Sequence, residues 1–355
     1  MQSAKESFLS LLRLGIGHSA SIPTGVDWNV MEVLAAEQGL SAIVLDGIEK
    51  LPEEQRPQQI QLLNWIGEVL SSYENNYVEY ENAIGRLAHF YNTHGFKMMV
   101  LKGYGLSLNY PKPSHRPCGD IDIWLFGQQK AADVILAENT DLRIDTSHHH
   151  HTVFEWQGFT VENHYDFVNV HAHKSSKELE VIFKELGYDD THIVEVNGEK
   201  LYLPSANLHA LFLIKHMVSH FAAAEISLRQ VLDWAFFVEE HAKEIDWRWL
   251  VGLLDKYHMK DFYNCINTIC VGDLGFDINI FPNVQFNPAL KDRVLHDILD
   301  PEYGSSEESG LFKRIAYKWR RWKGNEWKQR LCYDESRWSA YWRGTINHLM
   351  KPSSI

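Results

Sequence analysis

The chain has 355 residues, of which 45% are hydrophobic and 23% are charged, a composition typical of a globular protein with a sizeable core. No apolar run reaches the ~18 residues of a membrane-spanning helix, so membrane insertion is not expected, and the four scattered cysteines suit a cytoplasmic location. The formal net charge of −13 argues against a protein that binds nucleic acid over its whole surface.

Residues 1–72 are predicted to form an N-terminal helical region. Asp27 is a candidate N-cap for a segment with helical spacing, and the longest helical pattern runs over 58–93 and ends before Gly95.

The central region, residues 73–203, alternates between strand and helix patterns. Its predicted strands cover 96–101, 120–126, 150–156 and 159–167, a hairpin follows at 193–203, and 178–183 is either a strand or a helix turn. A glycine-rich turn leads into a short helix at 103–109, three prolines in 110–117 indicate a loop, and a helix is predicted at 129–138. These elements predict a small mixed β-sheet core.

From Pro204 the apolar period changes from 2 to 3.6, which predicts a helical domain over 204–300 with helices near 205–220, 226–241, 246–257 and 260–272 and a loop at 274–290. Residues 301–355 are predicted to form a basic, Trp-rich helical segment, because 311–355 carry 5 Lys and 6 Arg against 3 acids, 11 − 3 = +8. The tryptophans can stack nucleic-acid bases or pack against a core, and their partial spacing of 3–4 favours packing. The predicted fold class is therefore α+β, with helical regions flanking the sheet.

Two aspartates stand out in the second strand. Asp120 and Asp122 occupy positions i and i+2 of an apolar run, which puts both carboxylates on one face of a β-strand. Like charges so close repel each other unless a cation lies between them, and Mg²⁺ is the usual cation for carboxylate pairs that also meet phosphate oxygens. The aspartate pair therefore predicts an enzyme that transfers a phosphate-linked group.

The order of motifs around this pair resembles an uncharacterised bacterial nucleotidyltransferase family of the superfamily that includes DNA polymerase β. The resemblance covers roughly residues 97–250 and rests on Lys102-Gly103, Arg116, Gly119-Asp120-Ile121-Asp122, Val161-Glu162-Asn163-His164, Leu203-Pro204, His216, His220, Arg229 and Asp233.

The resemblance implies a magnesium site, with Mn²⁺ as the alternative ion. Asp120 and Asp122 would hold the ion against a triphosphate, and Glu162 would complete the site and help to deprotonate the attacking hydroxyl. Glu155 and Asp166 are the rivals of Glu162 for the third carboxylate.

The resemblance also implies a nucleotide-binding set. Gly103 and Gly105 would let the backbone approach phosphates, and Lys102 would add a positive charge, or would simply end a strand. Arg116 would grip a phosphate or pair with an acid such as Asp120, and His164 would orient Glu162 or contact the acceptor.

The predicted function is Mg²⁺-dependent transfer of a nucleoside monophosphate from a nucleoside triphosphate to the hydroxyl of a small molecule, sugar, protein or RNA, with release of pyrophosphate. One alternative is a catalytically silent binding module with the same fold. Another is a metallohydrolase built on His216, His220 and Asp233, although these residues are more typical of a hydrogen-bonded helix core. In the run His148–His151, a substrate contact by His150 or His151 is favoured over a second metal site.

Overall fold

The computed structural model describes residues 3–148, 150–171, 173–189, 191–282, 284–303 and 311–335. Contacts divide the chain into a first unit of residues 1–74, 109–117 and 213–334 and a second unit of residues 75–108, 118–212 and 335–355. The four sequence-based regions, with boundaries after residues 72, 203 and 300, stay a prediction. Parts of the predicted C-terminal segment, including Trp338 and Trp342, lie outside the described residues, as does His149.

Along the described part of the chain, α-helices precede the strands, lie between them and follow them. The α-helices are α1 (Ala4–Gly15), α2 (Trp28–Glu37), α3 (Ser41–Glu49), α4 (Gln59–Val69), α5 (Asn76–Thr93), α6 (Tyr104–Ser107), α7 (Gln129–Asn139), α8 (Lys174–Gly187), α9 (Ala206–Ala223), α10 (Leu228–His241), α11 (Trp247–Lys256), α12 (Lys260–Gly272), α13 (Pro288–Leu299), α14 (Leu311–Gly324) and α15 (Glu326–Cys332). Short 3₁₀ turns cover Glu53–Gln55, Pro113–His115 and Ile278–Ile280, and Leu70–Asn75 forms a π-helical turn. None of the described helices is both long and apolar enough to cross a membrane.

The second unit contains a mixed six-stranded sheet. Its strands are β1 (Met99–Val100), β2 (Ile121–Trp124), β3 (His151–Trp156), β4 (Phe159–His164), β5 (His192–Val196) and β6 (Glu199–Leu203), in the spatial order β3-β4-β2-β1-β6-β5. Strand β2 runs parallel to β4 and antiparallel to β1, while β1 runs parallel to β6. The predicted α+β class is confirmed.

The register of β2 against β4 separates a core face of the sheet from a polar one. Ile121 lies opposite Val161, and both are fully buried in one apolar cluster with Tyr80 and Leu87 of α5. Successive residues of a strand point to opposite faces, so the residues between these apolar positions are directed away from that cluster.

Four predicted strands are longer than the observed ones, the one at 150–156 by a single residue. Strand β4 ends at His164; the next two amides, of Tyr165 and Asp166, both donate to the His150 carbonyl, and those of Phe167 and Val168 donate to the Glu180 carboxylate at 3.1 and 3.0 Å. The strands predicted at 96–101 and 120–126 are observed as the shorter strands β1 and β2. The ambiguous segment 178–183 lies within helix α8 and buries Leu179 and Phe183 at helical spacing.

Candidate active site

The polar face of the sheet brings Asp122 and Glu162 together. Asp122 on β2 and Glu162 on β4 are register partners on adjacent parallel strands. His164 follows Glu162 by two residues, so strand alternation puts its ring on the same face. Lys102 lies two residues after the end of β1 and reaches Asp122 from the other side of β2.

A single ring nitrogen lies between the two carboxylates. His164 Nε2 is 3.1 Å from Asp122 Oδ1 and 3.3 Å from Glu162 Oε2, while Lys102 Nζ lies 2.8 Å from Asp122 Oδ1. The other nitrogen, His164 Nδ1, lies 3.3 Å from the backbone oxygen of Asp166. Asp122 and His164 are buried, whereas the Glu162 side chain keeps 27% of its surface exposed and opens the site to solvent.

These neighbours determine the charge states of the three groups. Burial opposes ionisation of Asp122, but the Lys102 ammonium and His164 outweigh it and hold the pKa of that carboxyl well below its ordinary value. The hydrogen bond from His164 lowers the pKa of Glu162 against the effects of burial and of Asp122. Burial disfavours the charged imidazole, yet its hydrogen bonds to both carboxylates raise the pKa of His164 to about 9. The site therefore holds two ionised carboxylates whose charge is balanced by the positive groups beside them.

The donor set fits a divalent metal ion. Within the described part of the chain, ligand atoms of Asp122, Glu162 and His164 lie within 4.8 Å of one another. Carboxylates suit Mg²⁺ and Mn²⁺, and a metal-binding histidine commonly donates its other ring N–H to a carbonyl, as His164 Nδ1 is placed to do toward Asp166. A divalent ion and the His164 proton are thus alternative ways of neutralising the same pair.

Asp120 does not belong to this group of ligand atoms in the described structure. It precedes β2 and is exposed, and its backbone oxygen accepts a hydrogen bond from Tyr80 Oη at 2.8 Å. The alternation argument of the sequence applies only within a strand, and here the strand begins at Ile121. The role of Asp120 as a metal ligand stays a prediction.

The rivals of Glu162 for the third carboxylate have other partners. Glu155 accepts a hydrogen bond from Thr160 Oγ1 at 2.9 Å, and Asp166 pairs with Lys184. Of the three acids, the described structure groups only Glu162 with Asp122.

The two glycines after Lys102 have structural reasons to be glycine. Gly103 has φ +58, and a Cβ there would lie 2.1 Å from Tyr80 Oη. A Cβ on Gly105 would lie 2.8 Å from the Leu203 side chain, so this residue lets α6 approach β6 closely. Their predicted approach to phosphates stays a prediction.

Arg116 is bound to an acid within the first unit. Its Nε and Nη2 donate to the two oxygens of Asp233 at 2.7 and 3.0 Å, and Tyr110 Oη donates to Asp233 at 2.7 Å. The sequence left open an acid partner for Arg116, and Asp233 is such a partner. The predicted phosphate contact of Arg116 stays a prediction.

The alternative hydrolase site is not assembled. The rings of His216 and His220 are neighbours, with centroids 4.3 Å apart, but Asp233 is engaged by Arg116 and Tyr110. Among the described residues, the groups able to hold a metal ion include none of these three.

Sequence reasoning underestimated the histidines at the start of β3. His151 is the register partner of His164, and His151 Nε2 lies 3.9 Å from Glu162 Oε1. The run of histidines in the sequence was the available signal, but only the pairing of β3 with β4 brings it to the carboxylates.

A family model described as an uncharacterised nucleotidyltransferase matches residues 24–271. No curated protein matches the chain. Among solved structures, an antigenic nucleotidyltransferase-like protein from Paracoccidioides brasiliensis is similar at 11% identity with a TM-score of 0.35, over 58% of this chain and 97% of that one. Because the family model spans well over half of the sequence, this chain belongs to the family of uncharacterised nucleotidyltransferases.

Proposed function

We propose that the protein transfers a nucleoside monophosphate from a nucleoside triphosphate to an acceptor hydroxyl and releases pyrophosphate. The observation that carries the proposal is the convergence of Asp122 and Glu162 on adjacent parallel strands, beside Lys102 and His164. Family membership supports the same class of reaction.

Asp122 and Glu162, joined by Asp120, would hold Mg²⁺, with Mn²⁺ as the alternative. The ion would neutralise phosphate charge and orient the reacting oxygens. The fit rests on the two ionised carboxylates that share one ring nitrogen.

The protein's own groups have distinct tasks in this reaction. Glu162 is ionised and partly exposed, so its free oxygen surface can accept a hydrogen bond from the acceptor hydroxyl and orient it. A loose phosphoryl transition state needs positioning more than a strong base, which agrees with the lowered pKa of Glu162. Lys102 supplies positive charge for the departing pyrophosphate, and His164 fixes Glu162 relative to Asp122.

The decisive experiment measures label transfer from nucleoside triphosphates in Mg²⁺ or Mn²⁺, together with pyrophosphate release, against a panel of sugar, protein and RNA acceptors. Asp122→Asn and Glu162→Gln should each lower transfer by at least about 100-fold, since each removes a carboxylate that would hold the divalent ion, and with it the positive charge that stabilises the transition state. Glu195→Gln, which changes an exposed carboxylate on β5 of the same sheet, is the matched control and should leave the rate unchanged. Transfer that persists in the Asp122→Asn/Glu162→Gln double variant would refute the assignment.

One observation favours the silent binding module as a second candidate. The Lys102 ammonium already neutralises Asp122 at 2.8 Å, which is the task that a metal ion performs in an active enzyme. Calorimetry that detects Mg²⁺-dependent nucleotide binding, without turnover on any acceptor, would support this candidate over the enzyme.

A further inference from the structure

Three histidines meet at the edge of the carboxylate site. His151 opens β3 and lies opposite His164 of β4, and His150 precedes it. The ring centroids are 4.3 Å apart for His150 and His151, 5.2 Å for His151 and His164, and 5.8 Å for His150 and His164. Ligand nitrogens of all three lie within 4.8 Å of one another, so small ring rotations would bring them around one ion.

Two of these rings carry buried nitrogens that lack a hydrogen-bond partner among the residues that the structure describes. They are the Nδ1 atoms of His150 and His151, and the His151 residue as a whole is only 6% exposed. A buried polar atom without a partner destabilises the folded protein, so such atoms are rare unless something else satisfies them. A ligand that accepts lone pairs from nitrogen would remove this cost.

The chemistry of the cluster differs from that of the neighbouring carboxylates. Three imidazoles are a poor set for Mg²⁺, which prefers oxygen, and a good set for Zn²⁺ and related transition-metal ions. Glu162, 3.9 Å from His151 Nε2, is the nearest carboxylate.

We propose that His150, His151 and His164 form a binding site for a divalent transition-metal ion, for which Zn²⁺ is the natural probe. The three imidazole nitrogens would leave a fourth position for water, the pattern of an open zinc site. This site is additional to the nucleotide-associated ion of the proposed function and does not depend on the transfer reaction. Because His164 belongs to both groups of ligand atoms, a nitrogen-bound ion would leave Asp122 and Glu162 to the oxygen-preferring ion.

The test uses the full chain without an affinity tag, stripped with a chelator and kept free of nucleotide. Titration with ZnCl₂ in a large excess of MgCl₂, followed by elemental analysis after gel filtration, should give one Zn²⁺ per chain. His150→Ala/His151→Ala should weaken zinc binding by at least about 100-fold, since loss of even outer-shell partners costs 10–100-fold. His216→Ala/His220→Ala is the matched control, because these rings are also adjacent, and it should retain the zinc.

Two further measurements keep the result interpretable. Circular dichroism checks that each variant is folded, and His150→Gln/His151→Gln, which keeps polar side chains of similar size, replaces any alanine variant that does not fold. Co²⁺ in place of Zn²⁺ should give visible absorption bands that the histidine variants lose. Absence of stoichiometric zinc, or zinc binding that survives in the His150/His151 variants or is lost in the His216/His220 control, would overturn the proposal. Since no nucleotide is present, failure of the transferase assay leaves this outcome unaffected.

Discussion

Replacing Asp233 by Asn should destabilise the protein strongly, because it removes the buried carboxylate charge that accepts two hydrogen bonds from the Arg116 guanidinium. The side chains of Arg116 and Asp233 are each only 5% exposed, and two donors from Arg116 and one from Tyr110 converge on the carboxylate. Burial favours the neutral acid, yet Arg116 keeps the pKa of Asp233 below its ordinary value. Breaking one side of such a pair costs about 3–5 kcal/mol.

Urea titration of the full chain measures this loss as a shift of the unfolding midpoint. Asp255→Asn is the control: Asp255 pairs with Lys260 at 3.2 Å but its side chain is 65% exposed, so the change should cost at most about 1 kcal/mol. Arg116→Met/Asp233→Asn removes both charges and should lose less than the sum of the two single variants. A cost for Asp233→Asn within about 1 kcal/mol of the control would show that the ion pair is not the stabilising element inferred here.

Two predictions concern the second unit. Gly103→Ala should lower the free energy of unfolding by at least about 2 kcal/mol, because the new Cβ meets Tyr80 Oη and φ is +58. Gly158→Ala, with φ +89 and open space around it, should cost less in the same urea titration, and equal losses would contradict the clash. Burial, and after it the charge of Asp166, raises the pKa of Glu180 to about 7, above its value in the unfolded chain. The free energy of unfolding should therefore fall as pH rises from about 4.5 to 7. Glu180→Gln should flatten that part of the pH profile by up to about 3 kcal/mol, and an unchanged slope would contradict the assignment.

Sequence periodicity was sufficient to predict the strands that carry Asp122, Glu162 and His164. The hairpin of β3 and β4 and the strand β2 lie where alternation and turn residues predict them, to within a few residues. Alternation also placed Glu162 and His164 on one face, and their 3.3 Å separation agrees with this. These features depend on local spacing, which a sequence states directly.

The features that the sequence did not reveal depend on contacts between distant segments. Arg116 donates to Asp233, which lies 117 residues later in the chain. The His151–His164 contact exists only because β3 pairs with β4. Likewise, the amides of Phe167 and Val168 that follow β4 donate to Glu180 on α8, a contact that no local turn signal predicts. No pattern of neighbouring residues encodes which of several acids such groups will meet.

The parallel pairing of β2 with β4 has a consequence for how the chain reaches its working state. Asp122 and Glu162 are 162 − 122 = 40 positions apart, and no local turn can align them. The two residues can pair only after α7 and the following hairpin have docked. The conformational entropy of this loop closure is lost before the contact between the strands stabilises the fold. Amide protons of β2 and β4 should therefore exchange with solvent only when the whole sheet opens, so binding competence and global integrity of this unit are gained or lost together.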